Sequence, residues 1–175
     1  MALKISSIFL LFSLSILNLR ASDYEITILA TNTANFGGIG EWSFSALLES
    51  DDEKILFDTG FNENTVLHNA NLLGKDLSQV EKVILSHFHG DHTGGLIKLR
   101  KTFMEINPKA FSTVYVAEGF FEQRYDQNGE LRGFIGGFND VDNFLNETDK
   151  LGIKFLILEE PKEISENLYL SVPVE

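Results

Sequence analysis

The spacing of apolar and polar positions divides this chain into short segments of two kinds. Residues 24–31 (YEITILAT) alternate apolar and polar side chains, the period-2 pattern of a strand with one face turned to a core. Residues 32–40, rich in Asn and Gly, carry no period and read as a loop. Short apolar runs at 44–48 and 54–57 flank Ser50-Asp51-Asp52-Glu53, which suits a hairpin turn, and Asp58-Thr59-Gly60 ends the hairpin. Val66, Leu67, Ala70 and Leu73 recur at helical spacing, predicting a helix over 62–73 that Gly74 stops. Residues 80–85 read as a buried strand, 95–103 as a helix and 112–117 as another strand. Beyond them the pattern predicts a short helix over 118–125, a turn over 126–129 and a glycine-containing loop over 132–138. A helix over 141–151, a strand over 153–158 and the start of another over 168–172 complete it. Strands and helices alternate, so the fold class is mixed α/β with layered packing.

The first residues follow a different pattern. Lys4 precedes an apolar stretch over 5–17 that only Ser6, Ser7, Ser13 and Ser15 interrupt, and the chain turns polar at Asp23. Such a stretch is too short to span a bilayer well and fits the hydrophobic core of a secretory signal, with a cut after Ala21 or Ser22. An uncleaved anchor or a buried first helix is the competing reading. A signal over 1–22 and one domain over 23–175 imply an exported protein, periplasmic or secreted, with no stable membrane association after cleavage.

Charge and composition then narrow the chemistry. The 26 Asp and Glu outnumber the 14 Lys and Arg, a balance that repels phosphate backbones and argues against nucleic-acid partners. A small-molecule substrate is expected, and even an anionic one can be held by an acidic chain, because bound metal ions would reverse the sign locally. The chain has no cysteine, so disulfides and thiolate-rich zinc sites are excluded, and any metal is held by nitrogen and oxygen.

Of the four histidines, three stand with an aspartate inside His87-Phe88-His89-Gly90-Asp91-His92. On extended backbone, residues two apart point the same way, so His87 and His89 can present imidazoles to one point. Gly90 permits a sharp turn that brings Asp91 and His92 round to a second point close by. Imidazole plus carboxylate suits zinc, with two ions expected and iron or manganese as alternatives.

SHFHGDHTGG at 86–95 resembles the signature of the metallo-β-lactamase superfamily. WSFSALLE at 42–49, ILFDTG at 55–60, VLHNA at 66–70 and DLS at 76–78 resemble one branch of it more closely. That branch is the dihydropteroate-synthase-like proteins, which include the archaeal pterin-ribofuranosyl-aminobenzene phosphate synthases. The resemblance runs from about Tyr24 to Leu99 and weakly to Val174. It implies an αββα sandwich with metals at the edge where the two sheets meet. It further implies that His87 and His89 bind one metal, that Asp91 and His92 bind the other, and that Asp58 steadies the metal loop by hydrogen bonding. His68 matches the branch's pattern, with packing or helix capping as its expected role. Members complete their sites with later histidines and a bridging carboxylate. This chain has no His beyond His92, and Asp140, Asp142, Asp149, Glu159 and Glu160 stand in no recognisable ligand motif. The expectation is therefore the amino-terminal half of the sandwich.

The activity expected of the intact protein is metal-dependent hydrolysis of an ester, thioester, amide or phosphoester. Metal-bound hydroxide would attack, Asp91 would help orient it, and the loops at 32–40 and 132–138 would contribute binding. A pterin-condensing transferase, a catalytically incomplete metal-binding protein and a true β-lactamase are the alternatives.

Overall fold

The computed structural model describes residues 24–130, 138 and 140–171. The segment expected to be a signal lies outside the described residues, as does all of the loop expected over 132–138 except Phe138. Six strands form one mixed sheet in sequence order: β1 (Glu25–Ala30), β2 (Ser45–Glu49), β3 (Lys54–Phe57), β4 (Val80–Ile84), β5 (Thr113–Ala117) and β6 (Lys154–Leu158). The first three pair antiparallel and the last three continue in parallel from β3. Parallel neighbours need crossovers, which α1 (Thr65–Leu72), α2 (Gly90–Thr93) with α3 (Leu96–Phe103), and α4 (Val141–Lys150) supply.

Side-chain alternation along the strands gives the sheet two apolar faces. Leu47, Leu56, Val83, Val114 and Val116 join Val66, Ala70, Leu96, Leu99 and Phe144 of the helices in one large core. Their neighbours Ile55, Ile84, Tyr115 and Leu158 form a smaller cluster on the opposite face, closed by Ile164. Ile164 belongs to a separate hairpin of β7 (Lys162–Ser165) and β8 (Leu168–Leu170). The hairpin leaves part of that face open, and Ile26 and Ile28 of β1 are exposed. The architecture is thus the layered mixed α/β class that the pattern predicts.

Two segments depart from the pattern. The helix predicted over 118–125 is absent. Gly119 has φ 75°, and Phe120 and Glu122 donate to carbonyls three residues back, so the chain runs through consecutive tight turns. Strand β7 carries no clear alternation and is recognisable only through its pairing with β8. Among the described residues no helix is long and apolar enough to cross a membrane.

Candidate metal centre

Strands β3 and β4 lie side by side in parallel, so their carboxyl ends open at the same edge of the sheet, the usual place for a site in such sheets. Asp58 follows β3 directly, and the chain leaves β4 through Leu85 and Ser86 into His87. His89 is still extended, with φ −61° and ψ 145°, and caps the short helix α2. Its carbonyl accepts from the amides of His92 and Thr93 and from the Thr93 hydroxyl, which fixes the turn at Gly90.

This turn folds the side chains back on one another. The His87 and His92 rings are 4.2 Å apart at their centroids, and His87 Nε2 lies 3.0 Å from His89 Nδ1. His87, Asp91 and His92 each offer a ligand atom, and those atoms fall within 4.8 Å of one another. The three-residue cluster draws members from both pairs expected from the sequence, and His89 joins it through His87. Burial, followed by the neighbouring His92 and His89, holds the His87 pKa below the ordinary imidazole value. His87 is therefore poised to present a neutral ring, the form that binds metal.

Asp58 is buried at 1% exposure and sits beneath this cluster. One carboxylate oxygen accepts from the Ser86 amide at 2.7 Å, and the other meets the Ser86 hydroxyl and His92 Nδ1, each at 2.7 Å. Burial raises the Asp58 pKa above the ordinary aspartate value, while the Ser86 and His92 bonds work in the opposite direction. With Nδ1 of His92 committed to Asp58, Nε2 faces Asp91 at 3.6 Å. A carboxylate on the far nitrogen of an imidazole fixes its tautomer and direction, which is how metal-ligating histidines are commonly held. Asp58 has φ 54°, a left-handed conformation that Asp and Asn adopt more readily than other side chains.

The backbone around Asp58 locks to the histidine loop. The Thr59 amide donates to the His92 carbonyl at 2.7 Å, and the Gly94 amide to the Gly60 carbonyl at 3.0 Å. Gly94 and Gly95 make this approach possible, because a Cβ on either would collide with the carbonyl oxygen of Phe61 or Thr59 respectively. Glu41 clamps the same region from a second side. Its carboxylate accepts from the Phe61 and Asn62 amides and from the Ser43 and Thr65 hydroxyls. Burial opposes its charge, but these four donors prevail and lower its pKa. Sequence reasoning missed Glu41, since a single Glu in a loop carries no signal of Phe61, Asn62 and Thr65, its partners 20 to 24 residues away.

His68 stands apart from the cluster. Its Nε2 meets the Gly37 carbonyl at 2.7 Å, while Asn69 bonds the Ile39 amide and the Leu29 and Ile39 carbonyls. Together they pin the loop expected over 32–40 to α1. Asp140 caps α4 by accepting from the Asn143 amide. Asp142, Asp149, Glu159 and Glu160 are exposed, and none joins the cluster. Imidazole nitrogens and a carboxylate oxygen, aimed together over a hydrogen-bonded buried aspartate, are a donor set that fits a bound transition metal.

Comparison with known proteins places this geometry among relatives. The family model of the metallo-beta-lactamase superfamily matches residues 43–161. An uncharacterized protein of Methanocaldococcus jannaschii is 31% identical over 146 residues, covering 83% of this chain and 52% of the relative. The 7,8-dihydropterin-6-methyl-4-(β-D-ribofuranosyl)-aminobenzene-5'-phosphate synthase of the same organism is 27% identical over 123 residues, covering 70% of this chain and 39% of the synthase. Among solved structures, Tm1679, a metal-dependent hydrolase of the β-lactamase superfamily, superposes with a TM-score of 0.58 at 29% identity. That superposition covers 83% of this chain and 46% of the hydrolase. The chain thus spans about half the length of these relatives, or less.

Proposed function

This chain belongs to the metallo-β-lactamase superfamily, most of whose members are hydrolytic enzymes, and from that premise we propose that it serves a zinc-dependent hydrolase of small molecules. The bond cleaved is an ester, thioester, amide or phosphoester. The convergence of His87, Asp91 and His92 over buried Asp58 carries this reading. His87, His89, Asp91 and His92 would hold two zinc ions, which when bound supply Lewis acidity and an activated water. Asp58 keeps the His92 ring turned so that Nε2 faces the centre. Asp91, reaching the same point, orients the attacking water as well as contributing a donor. The acidic surface disfavours nucleic acid as substrate, and export through a signal over 1–22 belongs to the same proposal.

The test is elemental analysis of the purified protein with assays on generic ester and phosphodiester substrates, with and without chelator. His89→Ala or Asp91→Ala should lower bound metal sharply and abolish chelator-sensitive turnover. Unchanged metal content in both variants would overturn the ligand assignment. Similarity to the pterin-condensing synthase supports a second reading, a transferase, which an assay for pterin-dependent condensation separates from the first. Metal retained without turnover in any assay would leave a metal-binding protein that lacks catalytic groups, a reading favoured by the small number of donors clustered among the described residues.

A further inference from the structure

Two large aromatic side chains stand in solvent on segments whose backbone is hydrogen-bonded to the histidine loop. Trp42 is 78% exposed and Phe61 is 62% exposed, in a protein that buries Phe111 and Phe144 completely. Both are tied closely to the histidine loop. The Phe44 amide, two residues beyond Trp42, donates to the Asp91 carbonyl at 3.4 Å. Phe61 follows Gly60, whose carbonyl holds the Gly94 amide, and the Phe61 carbonyl itself lies against Gly94. Glu41, the residue before Trp42, accepts from the Phe61 amide at 2.7 Å and so fixes the two segments to each other. Hydrogen bonds to one partly buried carboxylate therefore hold together the two backbone segments that carry these aromatic side chains, and neither side chain is buried.

Exposed aromatic side chains on backbone held in this way are suited to receive another ring. They offer large apolar faces with few rotatable bonds, so little conformational freedom is lost on contact, and ring pairs favour offset-stacked or edge-to-face geometry. We propose that Trp42 and Phe61 form an aromatic platform that binds a planar ring carried by the substrate, next to the bond presented to His87, Asp91 and His92. This assignment rests on the hydrolase reading of the same site, and it names the substrate class as aryl or heteroaryl rather than aliphatic.

Trp42 is the single tryptophan of the chain, so its fluorescence reports the platform directly. The probes are phenylphosphonate and methylphosphonate, which share a tetrahedral anion and differ only in the ring, titrated into the full-length protein whose zinc content is measured in parallel. Phenylphosphonate should change the Trp42 emission saturably, at a concentration at least fivefold below any effect of methylphosphonate. Phe61→Ala should weaken phenylphosphonate at least threefold and leave methylphosphonate and bound zinc unchanged. Equal responses to the two phosphonates, or no saturable response to phenylphosphonate, would overturn the platform. Zinc content separates the two readings. Zinc present without ring discrimination removes the platform alone. Ring discrimination without zinc supports the platform while removing the metal-dependent reading.

Discussion

Asp58 shows how one side chain couples the fold to the candidate chemistry. It ends β3 in a left-handed conformation, lies fully buried, and spends both carboxylate oxygens on Ser86 and His92. Its place after an apolar strand was legible in the sequence, but its partners 28 and 34 residues away were not. Asp58→Asn keeps the backbone preference and the approximate shape while losing the charge that fixes the His92 tautomer. It should weaken metal binding by about 10- to 100-fold with the fold retained, measured by competition with a chromophoric chelator. Asp58→Ala should in addition lower stability by about 1–3 kcal/mol, because the Ser86 amide loses its acceptor and alanine tolerates the left-handed conformation poorly.

At the scale of elements, the decisive contact is between the 58–62 segment and the start of α2 and α3. Gly94 and Gly95 are required there by close approach of two backbones, rather than by an unusual dihedral angle. Gly94→Ala is expected to cost about 1–3 kcal/mol in urea unfolding and to lower metal occupancy as well, since the Phe61 carbonyl and the histidine loop must move apart. α1 performs a similar service for the neighbouring loop through buried Asn69. Asn69→Ala leaves the Leu29 carbonyl and the Ile39 amide without their side-chain partner, and should cost about 1–3 kcal/mol. Hydrogen exchange should show the Ile39 amide losing protection while strands β4 and β5 keep theirs. Glycine pairs and an Asn on a helix are visible in the sequence, but the reason for each lies in a contact whose partner is remote.

For the whole molecule, acidity sets a testable limit. Glu49 is partly buried, which opposes its charge, yet bonds from Lys75 and Lys54 lower its pKa below the ordinary glutamate value of 4.5. Glu41 is lowered too, its burial outweighed by the Ser43, Phe61, Thr65 and Asn62 donors. A carboxylate with a depressed folded pKa binds fewer protons folded than unfolded. Its contribution to stability is therefore complete above about pH 4.5 and is lost as pH falls through the folded value. The urea midpoint should drop below pH 4.5, and the slope of that acid limb should be shallower in Glu41→Gln. An equal slope in wild type and variant would show that Glu41 is not coupled to folding.

The sequence by itself determined the layered α/β class, nearly every strand and helix, and the histidine loop. Each of these is written in local periodicity or in adjacent residues, and local backbone geometry follows from local side chains. Only the tertiary structure decided that His87, Asp91 and His92 form one cluster, that Glu41 clamps four donors, and that residues 118–121 turn where a helix was expected. Those outcomes depend on which distant segments share a sheet edge, and on whether remote donors outweigh local helical preference. No window of neighbouring residues contains that information.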